Sequence, residues 1–76
     1  MDELDIRFTY HPPTAGQPER YARIRAKALD LARLIETEVP QSREQSLAWT
    51  ALEEAVMWAN AGIARRDPRG DGDPVL

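Results

Sequence analysis

Two aromatic residues, the single histidine and two prolines crowd into RFTYHPP, residues 7 to 13. An aromatic ring can stack on a flat ligand, a contact worth roughly 1–3 kcal/mol per base where the ligand is a nucleotide. His11 precedes Pro12 and Pro12 precedes Pro13, which pushes both toward extended or polyproline geometry. A ring on so stiff a segment has little entropy left to lose on binding. Phe8 and Tyr10 alternate, so in an extended segment they face the same way. Phe8 reads chiefly as a staple over a helix end, His11 as a loop hydrogen-bonding residue, and Tyr10 equally as a stacking platform or a plain loop aromatic. Arg25 is the second candidate. It lies one helical turn from Tyr21, at the border of an apolar face, where a guanidinium can meet phosphate in a partly dry setting. Taken singly, Arg25 and Lys27 also read as solvated helix charges. Arg65 and Arg66 end the last helix and suit the negative pole of its dipole.

Catalysis finds little material. There is no cysteine to act as nucleophile, and His11 has no second ligand with which to hold a metal. Glu53 and Glu54 are adjacent, so they diverge by about 100° around a helix and cannot face one substrate as an acid/base pair. No glycine-rich phosphate loop is present. The sequence reads as a binding protein, not an enzyme, with no cofactor and no metal.

The elements that must position these residues are helices. Pro18 suits the first turn of a helix and Glu19 its positive end, so a first long helix is predicted from Pro18 to Glu38. Tyr21, Ile24, Ala28, Leu31 and Ile35 recur at helical spacing and give it one apolar face, with Leu29 and Leu34 off that stripe. Val39-Pro40 ends it. Ser42-Arg43-Glu44-Gln45 matches a capping box, with Ser42 taking the Gln45 amide and Gln45 reaching back to the cap. A second long helix then runs from Arg43 to Arg66, stopped by Asp67-Pro68. Ahead of both, residues 1–7 suggest one helical turn and 8–17 a loop.

In the second helix Ala48, Ala51, Ala55, Ala59 and Gly62 form a stripe of small residues. Leu52, Val56 and Ile63 flank it on one side, Leu47 and Trp58 on the other. Apolar surface covers more of the circumference than one antiparallel neighbour can hide. Trp49 and Trp58 read as core or subunit-interface anchors, and Met57, on the polar side, hints at an interface. The expected architecture is an all-α helical hairpin that oligomerises through copies of itself. Residues 1–66 form its single domain, and residues 67–76, DPRGDGDPVL, a disordered tail in which Arg69-Gly70-Asp71 matches an adhesion motif by chance spelling only.

A chain of 76 residues without disulfides has little core to offset the entropy of ordering, which favours self-association. The formal charge of −3 disfavours DNA or RNA polymers as partners. The exception is local: ERYARIRAK, residues 19 to 27, carries four basic residues and one acidic, a net +3 that could hold a small anion. No apolar run approaches the roughly 20 residues that cross a bilayer, and MDELDIRF is unlike a secretory signal, so no membrane partner and a cytoplasmic location are expected.

FTYHPP, then QPERYARIRAKAL, then PQSREQSLAWTALEEAVMWANAGIAR resemble a family of small phage proteins over about residues 6 to 66. These are the anti-CBASS sponges, which sequester cyclic oligonucleotide second messengers. The resemblance implies a short first helix and two long antiparallel ones assembled as a compact homohexamer. It implies binding without cleavage, in the cytoplasm of an infected bacterial host. Cyclic dinucleotides such as 3',3'-cGAMP would sit between two protomers, and cyclic trinucleotides in a separate pocket. By position, the stacking aromatic falls on Tyr10 and the phosphate-contacting basic residue on Arg25, where the family pattern leads one to expect lysine, with Lys27 nearby. The trinucleotide pocket falls on His11 and on Arg66 or Arg65. The residues alone leave a second reading open, a small helical scaffold or adaptor that binds another protein.

Overall fold

The computed structural model describes residues 2–67. Their order is α1 (Glu3–Phe8), α2 (Gln17–Glu38) and α3 (Arg43–Arg66), with no strand among them. The pairings set α2 and α3 antiparallel: Gln17 reaches Ile63 at one end and Trp49 reaches Ala32 near the middle. The all-α hairpin expected from the sequence is the fold.

The short helix α1 extends one residue further than the loop assignment allowed. Asp2 caps it, its Oδ1 accepting from the Asp5 N–H at 2.8 Å, and the Arg7 Nε donates to Glu3 Oε2 at 2.7 Å one turn back. Six residues are too few for a helix to persist in water alone, so α1 depends on its docking. Ile6 supplies the apolar anchor at 8% exposed. Phe8 consequently ends a helix instead of lying in an extended strand, and it is no staple, being 83% exposed.

The long helix α2 begins at Gln17, one residue before Pro18. Its cap is Gly16, whose φ of +84° is the left-handed conformation that a residue with a Cβ adopts only under strain. Pro18 then falls within the first turn, where its missing N–H leaves nothing unpaired. At the other end the Val39 N–H closes on Ile35 O at 2.9 Å, and Ser42 opens α3 by accepting from the Gln45 N–H at 3.1 Å. The return half of the capping box does not form. Gln45 instead donates its Nε2–H to Val39 O at 3.0 Å, because an amide N–H can satisfy a carbonyl left over at the end of α2. Gln45 is therefore a buried brace across the turn.

The core is thin. Among the described residues Ile6 is the one buried apolar side chain; Tyr21, Ile24, Ala28, Ile35, Leu52, Val56 and Ile63 are half-buried along the α2–α3 seam. Ala32 takes the inward place expected for Leu31, which is exposed. Leu29, Leu34, Leu47, Met57 and Trp58 face outward as well, Trp58 at 68% exposed. Ala51, Ala55 and Gly62 of the small-residue stripe lie open, and a Cβ added at Gly62 would meet nothing within 4 Å.

The packed unit runs to Asp67, one residue into the expected tail. Asp67 is buried and takes the Arg20 guanidinium at 2.5 Å. The remainder of that tail, 68–76, including Arg69-Gly70-Asp71, lies outside the described residues.

Replacing Ser42 with alanine removes the one side-chain cap of α3, and its unfolding free energy should fall by about 1 kcal/mol in urea titration. An unchanged midpoint would show that the brace from Gln45 alone sets the turn.

Candidate functional site

Tyr10 stands in solvent, 79% exposed, on a loop that is fastened at both ends. On the α1 side the His11 Nε2 bonds Ile6 O at 2.7 Å. A carbonyl can only accept, so His11 carries its proton on Nε2. On the α2 side the Gln17 N–H donates to Thr14 O and the Thr14 N–H donates to Gln17 Oε1, both at 3.1 Å. Pro12 and Pro13 stiffen the chain between these anchors. His11 is thus the loop hydrogen-bonding residue that the sequence suggested.

The anchor at Gln17 is shared with the far end of the hairpin. Its Nε2 donates to Ile63 O at 3.2 Å and to Asp67 Oδ2 at 3.3 Å, while the Tyr21 hydroxyl donates weakly to Gln17 Oε1 at 3.5 Å. One side chain, 4% exposed, joins the aromatic loop, the start of α2 and the end of α3. A buried amide left without partners costs about 1–3 kcal/mol, so this junction is specific as well as tight.

Arg25 lies on α2 between two grooves along the hairpin face. The larger, about 770 Å3, has a floor that includes Ala32, Trp49, Leu52 and Val56. Trp49 is fixed there by its Nε1–H, which donates to Ala32 O at 3.1 Å. The smaller groove, about 290 Å3, is bounded by Arg25, Tyr21, Asn60, Ala61 and Ala64. A guanidinium between an apolar floor and solvent suits a ligand that is flat in one part and anionic in another. Tyr10 lines neither groove.

The remaining basic candidates fall elsewhere. Lys27 follows Arg25 by two residues, about 200° around α2, and borders neither groove. Arg65 and Arg66 meet α1. The Arg65 Nη2–H donates to Arg7 O at 3.4 Å, and the Arg66 Nη2–H donates to Glu3 Oε2, the oxygen that also accepts from Arg7. Hydrogen bonding from Arg66, then from Arg7, holds the Glu3 carboxyl down at about 2, and Glu3 raises Arg66 in return. The Arg66 Nη1 is buried without a partner among the described residues. The structure therefore joins His11, Arg65 and Arg66 to α1, and sets Arg25 on the hairpin face.

The sequence alone gives Glu3, Gln17 and Arg20 no individual role, and Asp67 only that of a helix stop. Glu3 and Arg7 have the favourable helical spacing, a legible signal. Glu3–Arg66 and Arg20–Asp67 join residues 63 and 47 apart, and no local pattern announces them. Among the described residues no group of three or more His, Cys, Asp or Glu could hold a metal ion, and no helix is long and apolar enough to cross a membrane.

Fold and site together define a small all-helical hairpin domain with an aromatic loop fastened at its open end. Residues 1–64 match the family model of the Acb2/Tad1 hairpin domain. The chain belongs to that family, the anti-CBASS cyclic-oligonucleotide sponges that its sequence resembles. Comparisons with curated proteins and with solved structures gave no match.

The ion pair of Glu3 has a definite sign against pH. Its folded carboxyl is held below the ordinary 4.5, so the contribution is complete above that value and lost as pH falls toward about 2. Thermal melting between pH 5 and 2 should show a steeper acid loss for the native chain than for Glu3→Gln. Parallel curves would show that the pair adds nothing to folding.

Proposed function

We propose that this protein sequesters cyclic oligonucleotide second messengers, binding without cleaving them, and so keeps them from a host's CBASS immune effector in the cytoplasm of an infected bacterium. The observation that carries the reading is the exposed Tyr10 ring on a loop fastened at both ends, in a chain of the Acb2/Tad1 family. A solvated aromatic is ordinarily a liability. On a loop with little freedom left it becomes a stacking surface whose ordering is complete before the ligand arrives.

The messenger's shape fits such a surface. A cyclic dinucleotide presents two bases and two phosphates about a two-fold axis. Two chains related by symmetry present two Tyr10 rings and two Arg25 guanidiniums, one of each per nucleotide. Tyr10 and Arg25 share neither groove of one chain, which favours a cleft made by two. The uncovered apolar surface on α2 and α3 supplies a reason for the copies to assemble, as a homohexamer by the resemblance. Burial between copies would strengthen each arginine–phosphate contact by lowering the local dielectric. Arg25 in place of a lysine offers two parallel N–H donors to one phosphate and so tightens orientation.

Cyclic trinucleotides are proposed as a second ligand class, held at the open end of the hairpin by His11 with Arg66 or Arg65. Lys27 adds positive potential on the outer face of α2. None of these groups is a nucleophile or an acid/base pair set to attack a phosphodiester, so release of the intact messenger is expected.

Thermal melting with a panel of cyclic dinucleotides tests the reading. The native chain should melt higher with ligand and return it intact on heating. Tyr10→Ala and Arg25→Ala should each weaken binding at least tenfold with the assembly unchanged. Linear products, or variants that bind normally, would refute the function in the first case and the site in the second.

A further inference from the structure

Glu3 Oε2 accepts from two guanidiniums at once, that of Arg7 on its own helix and that of Arg66 at the end of α3. Arg65 approaches the same corner through its bond to Arg7 O. Three arginines converge on the corner of this one carboxylate, so cationic groups outnumber it at this contact. Within it Arg66 is only half used: Nη2 holds Glu3, while Nη1 is buried and has no partner among the described residues. A guanidinium binds an oxyanion best through two parallel N–H donors, and Glu3 engages one. A phosphodiester, with two non-bridging oxygens on one centre, can engage both.

We propose that Glu3 is a resident counter-ion, seated where a ligand phosphate goes, and that a cyclic oligonucleotide must displace it to reach Arg66. The inference rests on the sequestration reading above and adds to it a residue that sets affinity at this corner. Glu3 suits the part. Its side chain is 40% exposed and that of Arg66 31%, so the pair is partly solvated and its release opens no cavity. Exposed pairs are worth little, so the occupant is easily exchanged. Meanwhile it offsets part of the positive charge at this corner in the free protein and keeps Arg66 in place.

The test is calorimetric titration of cyclic triadenylate into the native chain, Glu3→Gln, Glu3→Ala, Arg66→Ala and the Glu3→Gln/Arg66→Ala double variant, at one ionic strength because such pairs are screened. Glu3→Gln keeps the side chain's size and an acceptor oxygen, and melting curves report whether α1 stays docked. Both Glu3 variants should bind about twofold to fivefold tighter than the native chain, the range of an exposed ion pair. That gain should vanish on the Arg66→Ala background. Unchanged or weaker binding by the Glu3 variants overturns the counter-ion role and leaves sequestration standing. A native chain that binds neither cyclic triadenylate nor any cyclic dinucleotide overturns both.

Discussion

Two helices laid side by side can hide only the seam between them, and this chain carries far more apolar surface than one seam. Ile6 alone is buried among its described apolar side chains, while Leu29, Leu34, Leu47, Met57 and Trp58 face water. Burial of apolar area is the main favourable term in folding, and here several large apolar side chains stay in water. In the proposed reading, further copies of the chain cover this surface. What the hairpin does settle internally is settled with polar groups.

Those polar groups are concentrated where the site is. Gln17 ties the aromatic loop to both long helices, Arg20 and Asp67 lock the same junction, and Glu3 links α1 to the last turn of α3. Hydrogen bonds are directional where apolar contacts are not, so they can hold a loop to one geometry on a domain with little core. Tyr10 owes its fixed position to this arrangement. In the proposed reading, the apolar faces along the helices serve assembly and the polar clamp at their open end serves the ligand.

Much of this could be read from residue order. The start of α3 follows from Ser42 and its end from Asp67-Pro68, and both agree with the structure. Trp49 and Trp58 are nine residues apart, about 180° around a helix, so one facing inward and one outward is what the spacing requires. The failures have specific causes. Phe8 read as loop because it shares the RFTYHPP stretch with two consecutive prolines, yet the Asp2 cap and the Glu3–Arg7 pair extend α1 to include it. Gln17 read as the last residue of the loop, since a polar residue gives no sign that its partners lie at Ile63 and Asp67. The candidate positions came from a pattern of types and a family resemblance. Their division into a loop corner and a helix face came only from the fold.

Native mass spectrometry of the assembly with a cyclic dinucleotide examines the central claim most directly, because it counts chains and ligands together. A symmetric cleft built from two copies predicts a multimer that carries one intact dinucleotide for every two chains. A monomer, or a multimer that takes one dinucleotide per chain, would contradict a binding site shared between copies.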